Sequence, residues 1–230
     1  LLLSAGQAGA TAPACLAGTV SQAWAECLGG LVYVNAIKPG APAILGTWPF
    51  VSDLRTGAMS GGSPEQGILS AACAQVGQHL DLPTGTGCGM SDSKLPDMQA
   101  GWEQAMSNVM AGLSGLNLVY ESVGMHASLL AFSMESMILG NDLLGQALRC
   151  VRGIEISNDS LNIESMKAVV LGGPEHFLGE KETLKLSQTE YVYPALADRS
   201  SPKEWMENGQ PDLIERAILF LLKKKDDIHS

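Results

Sequence analysis

The sequence predicts an α/β protein built on a parallel sheet. Short apolar runs alternate with segments whose apolar residues recur every three to four positions, strand then helix, four times over roughly the first 150 residues. The connections are short, and such alternation closes as parallel strands with crossover helices. The third strand-like run, Pro83–Met90, carries glycine at 85, 87 and 89 and is followed by the polar group Ser91, Asp92, Ser93 and Lys94. Alternate glycines strip one strand face, and polar residues just beyond a strand are where an α/β protein places its chemistry.

In order, Leu1–Ser4 reads as a buried strand. Thr11 is the expected cap of a helix that holds Pro13 in its first turn and continues to Lys38, where Pro39-Gly40 stops it. Ala43–Trp48 is the second strand, followed by polar loop through Asp53–Gly57 and Ser60–Ser63. Ser63-Pro64-Glu65-Gln66 opens a helix to about Leu80. After the glycine-bearing strand, Pro96 or Asp97 opens a helix with apolar Trp102, Ala105, Met106, Val109, Met110 and Leu113. Asn117–Ser122 is the fourth strand, and a helix spans roughly 128–152. Beyond Gly153 the pattern changes to short helices and loops, ending in an amphipathic helix over Pro211–Lys225. We therefore divide the chain into residues 1–153, four βα units, and 154–230, a helical extension packed on them. A (β/α)8 barrel needs about 250 residues, so four units are half a barrel or an open sheet. The chain opens inside a strand-like run, as expected of the middle of a longer protein.

With 46% apolar and 17% charged residues there is ample core material. The net charge of −10 argues against a nucleic-acid backbone as partner. No apolar run reaches the roughly 18 residues needed to span a bilayer, and the opening run has no basic flank of a signal peptide. The five cysteines form no C-x-x-C pair and are odd in number, which favours a reducing cytoplasm over a disulfide or zinc framework. Cys15, Cys27, Cys73 and Cys150 read as small buried hydrophobes. Without H-E-x-x-H or Cys/His spacing, no directly bound metal is expected.

The candidate binding residues cluster at or beyond strand ends: Trp48, Asp53, Arg55, Asp92, Tyr120, Glu121 and His126. Gly85-x-Gly87-x-Gly89 could cradle a phosphate, but no helix follows at once and Asp92 would repel the ligand. The alternative is that these glycines make room beneath a bulky group. Glu121, closing the run Leu118-Val-Tyr, is placed to point into the mouth of the sheet. Trp48, Phe50 and Tyr120 can pack the rim or cage a cation. No residue is singled out as a catalytic acid, base or nucleophile.

Asp53-Leu-Arg-Thr-Gly-Ala-Met-Ser-Gly-Gly-Ser-Pro-Glu, Ser91-Asp-Ser-Lys-Leu-Pro-Asp-Met-Gln-Ala-Gly-Trp-Glu and Asn117-Leu-Val-Tyr-Glu-Ser-Val-Gly-Met resemble the trimethylamine methyltransferase family. So do Ala147-Leu-Arg-Cys-Val-Arg-Gly-Ile-Glu, His176-Phe-Leu-Gly and Asp198-Arg-Ser-Ser-Pro-Lys-Glu-Trp. The likeness runs in order over almost the whole chain and covers the C-terminal half or so of the family's length. It implies a (β/α)8 barrel that moves a methyl group from a methylated amine to the cobalt of a separate corrinoid protein. Archaeal trimethylamine enzymes of the family carry pyrrolysine, and no such residue stands here, so the resemblance points to a quaternary amine such as glycine betaine. Trp48 and Tyr120 would then wall a cage, Glu121 or Asp92 would face the cation, and Arg55 would hold a betaine carboxylate. The competing expectations are trimethylamine itself as substrate, a different barrel enzyme such as a lyase or aldolase using Lys94, and a non-catalytic docking module for the corrinoid protein. Four strands with two open edges lead us to expect a homo-oligomer or a partner half.

Overall fold

The computed structural model describes residues 1–229, with side chains through residue 224. Its central sheet holds β1 (Leu2–Ser4), β3 (Leu45–Thr47), β6 (Thr84–Gly87) and β7 (Leu118–Tyr120), all parallel and side by side in chain order. These are the four expected strands, each shorter than its apolar run. Between them lie α1 (Leu16–Ile37), α2 (Pro64–His79) and α3 (Met98–Leu113), and α4 (Met134–Arg152) follows β7.

One face of the sheet packs on helices. Trp24 and Cys27 of α1, Leu45 of β3 and Cys73 of α2 form its core, with Leu2, Val76 and Leu82 against them. Burying aliphatic and aromatic groups of this size stabilises by roughly 1.5–3 kcal/mol each. Ser70 of α2 meets Thr86 on the same face at 3.3 Å. The opposite face carries Leu1, Leu3 and Leu118, which are exposed. Strand alternation places Gly46, Gly85 and Gly87 on this second face.

The helix starts are set by local chemistry. Ser63 accepts from the Gln66 amide with Pro64 in the first turn, and Asp97 accepts from the Ala100 amide. Thr11 does not cap α1. Its hydroxyl accepts from the Gln7 amide in a preceding turn, and the helix begins at Leu16 without a side-chain cap. The region expected to be loop after β3 contains two further strands. β4 (Phe50–Ser52) pairs in parallel with β2 (Gln7–Ala8) and antiparallel with β5 (Met59–Ser60). A second hairpin, β8 (Met125–His126) with β9 (Ala131–Phe132), occupies the start of what the sequence suggested was helix, so α4 begins six residues later. Its turn holds Ala127, Ser128 and Leu129 at φ 48°, 52° and 75°, a run of left-handed residues that helical periodicity does not anticipate.

Residues 154–229 hold the short helices α5 (Asn158–Leu161), α6 (Ile163–Val170), α7 (Lys181–Leu186) and α8 (Pro202–Glu207) and the longer α9 (Leu213–His229). Arg149 and Arg152 of α4 grip this segment through the Glu190 carboxylate and the Thr189 and Glu190 carbonyls. Asp142 accepts from the Ala195 and Ala197 amides. Cys27 and Cys73 are buried as expected, and Cys88 is buried too, whereas Cys15 and Cys150, also expected inside, are exposed near helix ends.

Candidate active site

The residues singled out from sequence separate into two groups around β4. The first is aromatic and stands at the strand ends. Trp48 follows β3, Phe50 opens β4 and Tyr120 ends β7. Trp48 lies 4.7 Å from Phe50 at 46° and 5.4 Å from Tyr120 edge-on at 88°, centroid to centroid. The glycines below explain why the rings meet. A Cβ at Gly87 would lie 2.5 Å from the Trp48 ring, and one at Gly85 would lie 3.4 Å from Tyr120. The room they leave is filled by the protein's own indole, not by a phosphate loop. The Trp48 indole N–H and the Tyr120 hydroxyl are buried without a partner among the described residues. Burial pushes the Tyr120 phenol well above its ordinary range, with the neighbouring Glu121 charge adding to the effect.

Glu121 follows directly, in the left-handed region at φ 60°. Partial burial raises its carboxyl above the ordinary value. His126 is not at the mouth. It is buried, its Nε2 lies 2.6 Å from the Ser136 hydroxyl, and its Nδ1 has no partner among the described residues.

The second group lines an open cleft of about 910 Å³, to which Asp53, Arg55, Asp92, Lys94, Glu103 and Ser128 all contribute. Arg55 and Asp53 form a two-bond ion pair at 2.5 and 3.0 Å at the tip of the β4–β5 hairpin. The guanidinium holds the Asp53 carboxyl well below the usual carboxylate range, and Asp53 in turn raises Arg55. Asp92 lines the cleft, but its carboxylate oxygens are taken up by hydroxyls and amides. It accepts from Ser60, from the Gly61 amide at 2.8 Å, the Gly62 amide at 3.4 Å and the Ser128 hydroxyl at 2.6 Å.

Sequence reasoning missed Glu103. It is buried on α3, and its Oε2 accepts from the Ser91 hydroxyl at 2.6 Å and the Asp92 amide at 2.8 Å, while Gln99 donates to its Oε1 at 2.9 Å. The apolar period of α3 pointed the wrong way. Met98 and Trp102 are exposed, while Glu103, Gln104, Ser107 and Asn108 are buried. These four polar groups bind the loops after β6 and β7. Gln104 donates to the Met125 carbonyl, Ser107 accepts from the Gly89 amide, and Asn108 donates to the Ser122 carbonyl. A polar stripe at i, i+1, i+4, i+5 was the available signal. Loop backbone without ladder partners needs such donors and acceptors. Cys88, whose thiol meets Ser70 of α2, is pushed up to about 12 by burial, so it is no nucleophile. Among the described residues, no group of three or more His, Cys, Asp or Glu is placed to hold a metal ion, and no helix is long and apolar enough to cross a membrane.

Residues 1–223 match the family model for trimethylamine methyltransferase. The chain belongs to the trimethylamine methyltransferase family. It is 37% identical over 205 residues to the glycine betaine methyltransferase of Desulfitobacterium hafniense, covering 89% of this chain and 42% of that protein. It is 34% identical over 212 residues to the trimethylamine methyltransferase MttB of Methanosarcina thermophila, covering 92% of this chain and 43% of that one. The chain therefore spans less than half the length of these curated relatives. Both are methyltransferases by name, one for a quaternary and one for a tertiary amine.

Proposed function

We propose that this chain forms part of a (β/α)8-barrel methyltransferase that takes a methyl group from a quaternary amine such as glycine betaine and delivers it to the corrinoid of a separate protein. The observation that carries this reading is the aromatic cluster of Trp48, Phe50 and Tyr120 at the strand ends, with the Glu121 carboxyl next in sequence. Four parallel strands in chain order, with helices on one face and leucines exposed on the other, suit a barrel whose remaining strands lie outside this chain.

A quaternary ammonium ion has no acidic proton and cannot be held by hydrogen bonds to nitrogen. Aromatic faces attract it through the ring quadrupole, roughly 2 kcal/mol per ring when water is excluded. Glu121 adds a negative charge beside that cage. Arg55, released from Asp53, would take a betaine carboxylate in a forked contact. The corrinoid, carried by its own protein, supplies the nucleophile when docked. The carbon–nitrogen bonding pair stays on nitrogen, so a neutral tertiary amine leaves and no general acid is required. The task left to the residues is to hold the cation, point one N–CH₃ outward and exclude water. His126, directed at Ser136, is given no part in the transfer.

The test is methyl transfer by the full-length protein from glycine betaine, other betaines and trimethylamine to a reduced corrinoid protein, followed by visible absorption. Transfer from a quaternary amine is expected. No transfer from any of them would remove the reading, and transfer from trimethylamine alone would remove the quaternary specificity.

A further inference from the structure

The Asp92 carboxylate is more heavily used than a counter-charge for a ligand would be. Four donors converge on it from two segments distant in sequence: Ser60, Gly61 and Gly62 at the end of the β4–β5 hairpin, and Ser128 after β8. Its own segment leaves β6. The carboxylate thus ties together the chain beyond β4, β6 and β7, the strands that carry Phe50, the glycine floor and Tyr120. The neighbouring residues complete the junction. The Ser128 amide donates to the Ser91 carbonyl at 3.1 Å and the Ala127 amide to the Ser93 carbonyl at 2.9 Å. The Asp92 amide is itself fixed by Glu103. The close fit requires glycine on the hairpin side, since a Cβ at Gly62 would lie 2.5 Å from Glu103 Oε2.

The segment held from the other side is strained. Ala127, Ser128 and Leu129 are consecutive L residues at positive φ, a conformation each adopts only at steric cost and which persists where surrounding contacts enforce it. Ser128, in the middle, is fastened to Asp92 by its side chain and to Ser91 by its backbone.

We propose that Asp92 is a positioning residue: its carboxylate clamps the β4–β5 hairpin and the left-handed turn 127–129 to the exit of β6 and so sets the width of the mouth at which the amine is held. This rests on the proposed function for what the mouth binds, but the clamp is a property of the chain alone. It assigns Asp92 a role opposed to the electrostatic one, because a clamp needs acceptors and a counter-charge needs charge. Asparagine keeps Oδ1 for Gly61, Gly62 and Ser128 and offers an amide to the Ser60 oxygen, whereas alanine keeps nothing.

Amide exchange of the full-length protein, read by mass spectrometry without substrate, tests the clamp. In Asp92→Ala, exchange at 60–62 and 127–129 is expected to accelerate at least about tenfold while α1 stays protected, and in Asp92→Asn by no more than about threefold. Ser128→Ala is expected to loosen 127–129 and leave the hairpin amides of Gly61 and Gly62 closed, a milder variant if Asp92→Ala does not fold. In the transfer assay Asp92→Ala should lose roughly 10–100-fold in kcat/KM, the cost of misplacing reacting groups by about 1 Å, with Asp92→Asn restoring most of it. Unchanged exchange in both loops of Asp92→Ala would overturn the clamp. An Asp92→Asn variant with closed loops but substrate affinity as poor as alanine's would show that the charge is what matters. Loosened loops in a protein whose wild type transfers no methyl group would leave the clamp standing and remove the proposed function.

Discussion

Replacing Gly87 by alanine is expected to break the aromatic cluster without touching an aromatic residue. Gly87 is not in the left-handed region, so its backbone accepts alanine. The added Cβ would lie 2.5 Å from Cε2 and Nε1 of Trp48 and 2.8 Å from Cζ2. Carbon atoms pack best at about 3.5–4.0 Å, so the indole must retreat by about 1 Å. It is held by Phe50 on one side and Tyr120 on the other. Retreat therefore sacrifices an edge-on aromatic pair, about 0.5–1.5 kcal/mol, on top of overpacking of about 1–3 kcal/mol. We expect Gly87→Ala to cost about 2–3 kcal/mol in urea unfolding followed by far-ultraviolet circular dichroism. In a Trp48→Ala background the obstacle is gone, and the same change should be nearly neutral. The double-mutant cycle then gives a coupling of about 2 kcal/mol. A coupling below about 0.5 kcal/mol, the range of independent sites, would refute the contact and with it the account of why glycine stands at 87.

Glu103→Ala should destabilise by about 2–4 kcal/mol in the same assay, because the Ser91 hydroxyl and Asp92 amide lose a charged acceptor, while Glu103→Gln should cost less than half of that. Trp48→Ala should weaken binding of a quaternary amine about 10–30-fold by calorimetry, the loss of one cation–π wall. At pH 8 iodoacetamide should label two cysteines in the native chain, Cys15 and Cys150. Cys27 and Cys73, raised to about 11, and Cys88, raised to about 12, should react only after unfolding. Glu121 gives a pH signature. Its folded carboxyl lies above the ordinary 4.5 because burial disfavours the charge, so the folded state holds the proton more tightly than the unfolded one. Stability from this group is present below 4.5 and declines as pH rises through the folded value. Glu121→Gln should flatten that decline in unfolding measured between about pH 4 and 7, and an unaltered pH profile would contradict it.

The strand–helix alternation and the caps at Ser63 and Asp97 were legible because each is local: apolar period, capping oxygen and proline position act within a few residues. The sequence also placed Trp48, Asp53, Arg55, Asp92, Tyr120 and Glu121 at or beyond strand ends, and it carried the family resemblance. Which of these residues meet was not local. Trp48 and Tyr120 touch because β3 and β7 flank a glycine-bearing β6, a relation between three strands far apart in the chain. The β4–β5 and β8–β9 hairpins escaped notice because strands of two or three residues show no period, and the turn 127–129 carries L residues where positive φ favours glycine. The clearest divergence is α3. Its apolar period predicted a core-facing stripe of Trp102, Met106 and Leu113, but the folded chain exposes Trp102 and Leu113 and buries Glu103, Gln104, Ser107 and Asn108. Sequence alone counts apolar groups. Only the tertiary structure shows that this helix lies against loop backbone whose amides and carbonyls lack ladder partners, and there hydrogen-bonding side chains outweigh apolar ones because an unpaired buried polar group costs more than an exposed tryptophan.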